Sequence, residues 1–137
     1  MTAWHEYAEG VKNGKITACK RLKQAVKRYF SDLENPLYTF DPEVVERFIA
    51  FSRVCPHVKG AMRGSPIELE SWQQFAFACI LGFKVKATGR RKYTSAFIEV
   101  PRKNAKSTVA AILANWFLVM ENGQQDIYTA AVSRDQA

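Results

Sequence analysis

The feature that most constrains this chain is a change of pattern at about residue 93. Residues 94–100 (Thr-Ser-Ala-Phe-Ile-Glu-Val) are a β-branched and aromatic run that predicts a buried strand. A short polar loop, 101–105, follows, and then a strongly apolar helix from 106 or 107 to about 121, closed by Asn122-Gly123. A second strand is expected over 126–132, and the Ser-x-x-Gln pattern at 133–136 reads as the start of another helix. Strand, loop, helix, strand is how a parallel α/β sheet opens, and such a sheet needs more than two strands. The expectation is an incomplete α/β domain.

Ahead of this unit the periodicity is helical. Residues 2–9 suit a short helix, with Gly10 and Gly14 punctuating the turn after it. Over 17–33, Ala18, Leu22, Ala25, Val26, Tyr29 and Leu33 recur at helical spacing, and Asn35-Pro36 ends the run. Asp41-Pro42 supplies an N-cap and a first helical proline for the next helix, which Cys55-Pro56 stops. Residues 56–70, with Gly60, Gly64 and Pro66, read as a loop that could hold a short strand over 67–69. Ser71 and Gln74 fit a capping box opening a helix that runs to Gly82. Two segments are therefore expected: a helical N-terminal or lid segment, 1–92, and the first βαβ unit of a core, 93–137.

Composition narrows the function classes. Hydrophobic residues make up 47% of the 137, which excludes a disordered chain. The three cysteines are scattered and only His5 and His57 could join them, which argues against structural zinc and a disulfide framework. No basic-then-apolar leader opens the sequence, and the longest apolar stretch, 109–120, is broken by Asn115 and too short to span a bilayer. A reduced cytoplasmic setting is expected. The net charge of +7 concentrates in 12–28 and 84–106, which fits nucleic acid or nucleotide phosphate as partner, or a solvated helix face. For the basic helix over 17–33, a brace packed by Leu22, Val26 and Tyr29 is preferred to a DNA or subunit contact, because aromatic interleaving is thin there.

The candidate chemistry lies in Val100-Pro101-Arg102-Lys103-Asn104-Ala105-Lys106-Ser107. A loop between a strand and a helix N-terminus presents unpaired N–H groups and the positive end of the helix dipole, and both stabilise an anion. A Lys-Ser pair suits a phosphate-binding loop, with the ammonium on the β- and γ-phosphates and the hydroxyl on Mg²⁺. The standard pattern has glycines where this chain has Val100 and Ala105, so an ordinary basic connection is the competing reading.

This segment resembles the Arg-Lys-Asn-Gly-Lys-Ser/Thr loop of phage large terminase subunits, the ATP-driven motors that package DNA. Leu69-Glu70-Ser71-Trp72-Gln73, His57-Val58-Lys59-Gly60 and the run from Tyr128 to Ala137 also look like that family, in its order and spacing. The resemblance implies the N-terminal portion of a P-loop ATPase domain using ATP and Mg²⁺. It makes Gln73 an adenine reader, since an amide can both donate to and accept from the base edge. It makes Lys106 the phosphate lysine, Ser107 the Mg²⁺ ligand and Thr108 a neighbour of the α-phosphate. Arg102 and Lys103 match the family's basic pair, either of which could bring charge to the γ-phosphate, and Asn104 and Ala105 complete the loop. Gln74 is better read as the partner of Ser71, and Trp72 as core rather than as a flank for the base. If Ala105 has to adopt a left-handed backbone, its Cβ costs about 1–2 kcal/mol, which would weaken ATP binding roughly tenfold or more without abolishing it.

The resemblance further implies double-stranded DNA, the small terminase subunit and the portal as partners, oligomers only for the full-length protein, no membrane, and a phage- or prophage-encoded protein in the bacterial host cytoplasm. No apolar run ending in Asp-Glu follows Ser107, and no nuclease acidic cluster is present. The chain is thus expected to hold nucleotide without turning it over. The alternatives are another P-loop NTPase of helicase type, or a small basic DNA-binding or interaction module.

Overall fold

The computed structural model describes residues 2–58, 60–120 and 126–130. The chain divides into two compact units, 1–97 and 98–137.

The first unit holds four helices, α1 (Ala3–Lys12), α2 (Lys20–Glu34), α3 (Pro42–Val54) and α4 (Ser71–Gly82), and two short strands, β1 (Tyr38–Phe40) and β2 (Phe83–Val85). Helix α4 (SWQQFAFACILG) is apolar on nearly every side, as a helix enclosed by others must be. It packs against both α1 and α3. Phe48 of α3 stacks on Phe77 of α4 with ring centroids 4.5 Å apart, and both are fully buried. Tyr29 of α2 meets the edges or faces of Phe75, Phe40 and Phe83 at 5.4, 5.9 and 5.8 Å, which ties α2, α4 and both strands into one aromatic core.

The start of α3 follows the sequence, α4 shows a shift of register at its cap, and α2 begins at Lys20, three residues after the expected start. Asp41 caps α3, its carboxylate accepting from Val44 N at 3.3 Å, with Pro42 at the first helical position as expected. At α4 the cap is Glu70, not Ser71: the Gln73 carbonyl accepts from Glu70 N at 2.9 Å, while the Glu70 side chain accepts from the backbone of Gln73. Gln74, expected to partner Ser71, instead donates to Leu69 O at 2.8 Å. Two overlapping x-x-Gln patterns compete here, and the one starting at Glu70 puts a carboxylate over the helix N-terminus, where the dipole favours it. Gly10 lies inside α1 rather than in a turn, and its lack of a Cβ leaves room for Ile16, whose Cδ1 a Cβ there would meet at 2.7 Å.

The two strands pair antiparallel, Tyr38 opposite Val85 and Phe40 opposite Phe83, and they form the only sheet among the described residues. The expected parallel sheet is not seen there. Residues 95–100 carry no regular structure and are exposed up to Glu99, with Phe97 at 89% accessibility, so the expected buried strand is absent. Residues 126–130 are likewise exposed and irregular, and the rest of the expected second strand, the turn at Asn122-Gly123 and the helix start at 133–136 lie outside the described residues. β propensity is realised only where a neighbouring strand takes up the backbone groups, and none stands beside either segment among the described residues. The short strand expected over 67–69 is also missing. Ile67 and Leu69 are nonetheless buried, and the Ile67 N–H donates to Cys55 O at 3.1 Å.

Beneath the sheet of the first unit sits a buried charge. Asp32 of α2 forms an ion pair with Lys92 and accepts from Tyr93 Oη at 2.6 Å. Lys92 Nζ also lies 4.0 Å from the centre of the Tyr38 ring. These contacts fasten the segment after β2 to α2.

The second unit consists of the loop preceding α5 (Lys106–Met120), the helix itself and residues 126–130 within the described range. Helix α5 is almost wholly apolar, with Ile112 and Trp116, one turn apart, buried. No helix among the described residues is long and apolar enough to cross a membrane.

Candidate functional site

The backbone of residues 100–108 has an unusual alternation. Lys103 (φ +69°) and Ala105 (φ +53°) are the only non-glycine residues with positive φ among those described, while Arg102, Asn104 and Lys106 between and beside them are negative. Backbone that alternates in handedness can turn successive N–H groups toward the same side, which is how anion-binding concavities are built. Left-handed backbone is uncommon for residues other than glycine, and strain of this kind clusters at ligand-binding sites.

Side chains close the loop on itself. Lys106 Nζ donates to Val100 O at 2.8 Å and to Pro101 O at 3.0 Å. Asn104 Nδ2 donates to Pro101 O and Arg102 O, both at 3.2 Å. An ammonium has three protons, so one of Lys106 remains after the two carbonyls are served. The Ala105 carbonyl accepts from Val109 N at 2.9 Å and so begins α5. Arg102, Lys103, Asn104, Ala105, Lys106 and Ser107 are exposed and Thr108 is half-buried. The Ser107 hydroxyl makes no hydrogen bond among the described residues, and a free hydroxyl oxygen in a first helical turn fits the hard-oxygen preference of Mg²⁺. Among the described residues no group of three or more His, Cys, Asp or Glu could itself hold a metal ion.

Gln73 belongs to the first unit and is 7% exposed. One lone pair of its carbonyl is used at the cap, and the amide nitrogen is not part of that bond. Trp72 is half-buried at the same helix start.

That the Val100 and Pro101 carbonyls hold Lys106 is not legible from residue types, since backbone groups carry no residue signature. Glu70 could have been found, because Glu-x-x-Gln stands one residue ahead of Ser-x-x-Gln.

Comparison with known proteins finds a similarity to an ATPase domain. The match is to the family described as terminase large subunit, ATPase domain, over residues 71–137. The match supports a fragment of a terminase large subunit ATPase domain in residues 71–137, and the helical segment before residue 71 lies outside it. A terminase ATPase domain implies nucleotide binding and a part in DNA packaging. No curated protein and no solved structure matches the chain.

Proposed function

We propose that this chain binds ATP with Mg²⁺ through the loop 100–108, as part of a terminase motor that drives phage DNA into procapsids and cuts it. The observation that carries the reading is the alternating backbone at Arg102–Lys106 with Lys106 at its end. In this reading the N–H groups of the concavity and the ammonium of Lys106 receive the β- and γ-phosphates. Lys106 exchanges its bonds to Val100 O and Pro101 O for phosphate oxygens, where an opposite charge on the acceptor is added to the charge already on the donor. Ser107 contributes its hydroxyl to Mg²⁺, which neutralises phosphate charge when bound. Arg102 or Lys103 approaches the γ-phosphate, and Thr108 the α-phosphate. Gln73 retains one carbonyl lone pair and its amide protons for the adenine edge while still capping α4. Double-stranded DNA, the small subunit and the portal are partners of the motor as a whole.

Arg102, Lys103 and Lys106 are exposed trypsin sites, which gives a direct test. MgATP is expected to slow cleavage after these three residues while leaving cleavage in α2 unchanged. An unchanged rate at the loop would count against nucleotide binding there.

A further inference from the structure

Helices α1 and α2 enclose a cleft of about 340 Å³ whose floor includes Val11, Val26 and Phe30 and whose rim carries Lys12, Lys23 and Lys27. This cleft lies wholly in the first unit, ahead of the matched family segment. Its rim is positively biased. Lys12 is 3.7 Å from the Glu9 carboxylate and 4.1 Å from the centre of the Phe30 ring. Lys23 and Lys27 form no ion pair among the described residues, and both are exposed one turn apart on α2. On the same helix Lys20, Arg21 and Arg28 are also exposed. The two acids of α2 do not offset them at the rim, because Asp32 is buried with Lys92 and Glu34 ends the helix.

We propose that this cleft is a docking site for an acidic protein segment that inserts one bulky apolar side chain. Both halves of the surface enter the argument. Uncompensated lysines at a rim attract and orient a partner of opposite charge. A concave apolar floor gains from a buried side chain, the kind of anchor that dominates interface energetics. A DNA duplex would use the lysines but leave the floor of Val11, Val26 and Phe30 idle, since phosphate contacts are made to charge and not to apolar surface. The floor is what distinguishes this cleft from a solvated basic helix.

The test is an anisotropy titration of the full chain with a fluorescein-labelled synthetic peptide of Asp, Glu and Ser carrying one central Phe. The same peptide with Ser in place of Phe, and a labelled DNA duplex, serve as comparisons. Binding of the Phe peptide is expected, weakened about tenfold or more by loss of the Phe. The variant Lys23→Glu/Lys27→Glu, changed only at exposed positions, should weaken it to a similar degree with an unaltered circular dichroism spectrum. Methyl resonances of Val11 and Val26 should shift on peptide addition, which reads the site without any variant. Equal binding of the two peptides, no binding of either, or methyl shifts confined to other residues would overturn the proposal. So would a duplex whose binding alone is lost in the double variant, which would make the face a nucleic-acid surface.

Discussion

Ala105 shows how far a single residue can be read. From sequence, the missing glycine sets a condition: if the backbone is left-handed, the Cβ is penalised. The condition holds, with φ at +53°, and it holds with Lys106 bonded only to loop carbonyls. The Cβ of Ala105 therefore strains the loop backbone by about 1–2 kcal/mol. Ala105→Gly relieves about 1–2 kcal/mol of left-handed cost and gives back about 0.5–1 kcal/mol of backbone entropy. The expected net gain of about 0.5–1 kcal/mol should slow amide hydrogen exchange in the first turns of α5 by about two- to fivefold. Unchanged or faster exchange would contradict it. Lys103, at φ +69°, was not legible in this way, because nothing about a lysine announces a left-handed backbone.

At the scale of elements, the helices were legible and the strands were not. Asp41-Pro42 and Cys55-Pro56 bound α3 as expected, because caps and prolines act through neighbours in sequence. The start of α4 was found but its capping pair was displaced by one residue, since Glu70/Gln73 and Ser71/Gln74 have the same spacing. Residues 94–100 have strand composition without a strand, whereas Phe83–Val85, where no strand was expected, pairs with Tyr38–Phe40. A strand depends on a partner that local composition does not contain. The junction of α4 and β2 gives a test of the packing. Gly82 is buried, and a Cβ there would meet Phe40 Cε2 at 2.3 Å, with Asp41 N donating to Gly82 O at 2.8 Å to hold the two segments together. Gly82→Ala is expected to destabilise the first unit by about 1–3 kcal/mol, read as a lower urea midpoint. A midpoint equal to that of the parent would show that Phe40 moves aside freely.

At the scale of the whole molecule, the first unit rests on an aromatic core with a buried ion pair at its edge, and Tyr29 gives that core a measurable pH limit. Burial pushes the Tyr29 hydroxyl up to about 12, with the nearby Cys79 adding to the effect. The folded state then keeps a proton that the unfolded chain releases near pH 10, so the contribution is intact below about 10 and lost as pH rises toward about 12. Urea midpoints should fall across that interval, and less steeply in Tyr29→Phe. Identical alkaline limbs would remove Tyr29 from the account.

The second unit carries the central claim, that the strained loop ending at Lys106 receives the phosphates of ATP. Equilibrium titration of labelled ATP with Mg²⁺ against the full chain and its Lys106→Ala variant tests it most directly. A charge-assisted contact of about 1.5–3 kcal/mol predicts saturable binding by the parent, weakened at least about tenfold in the variant. Equal affinity in the two, or no binding by the parent, would contradict it.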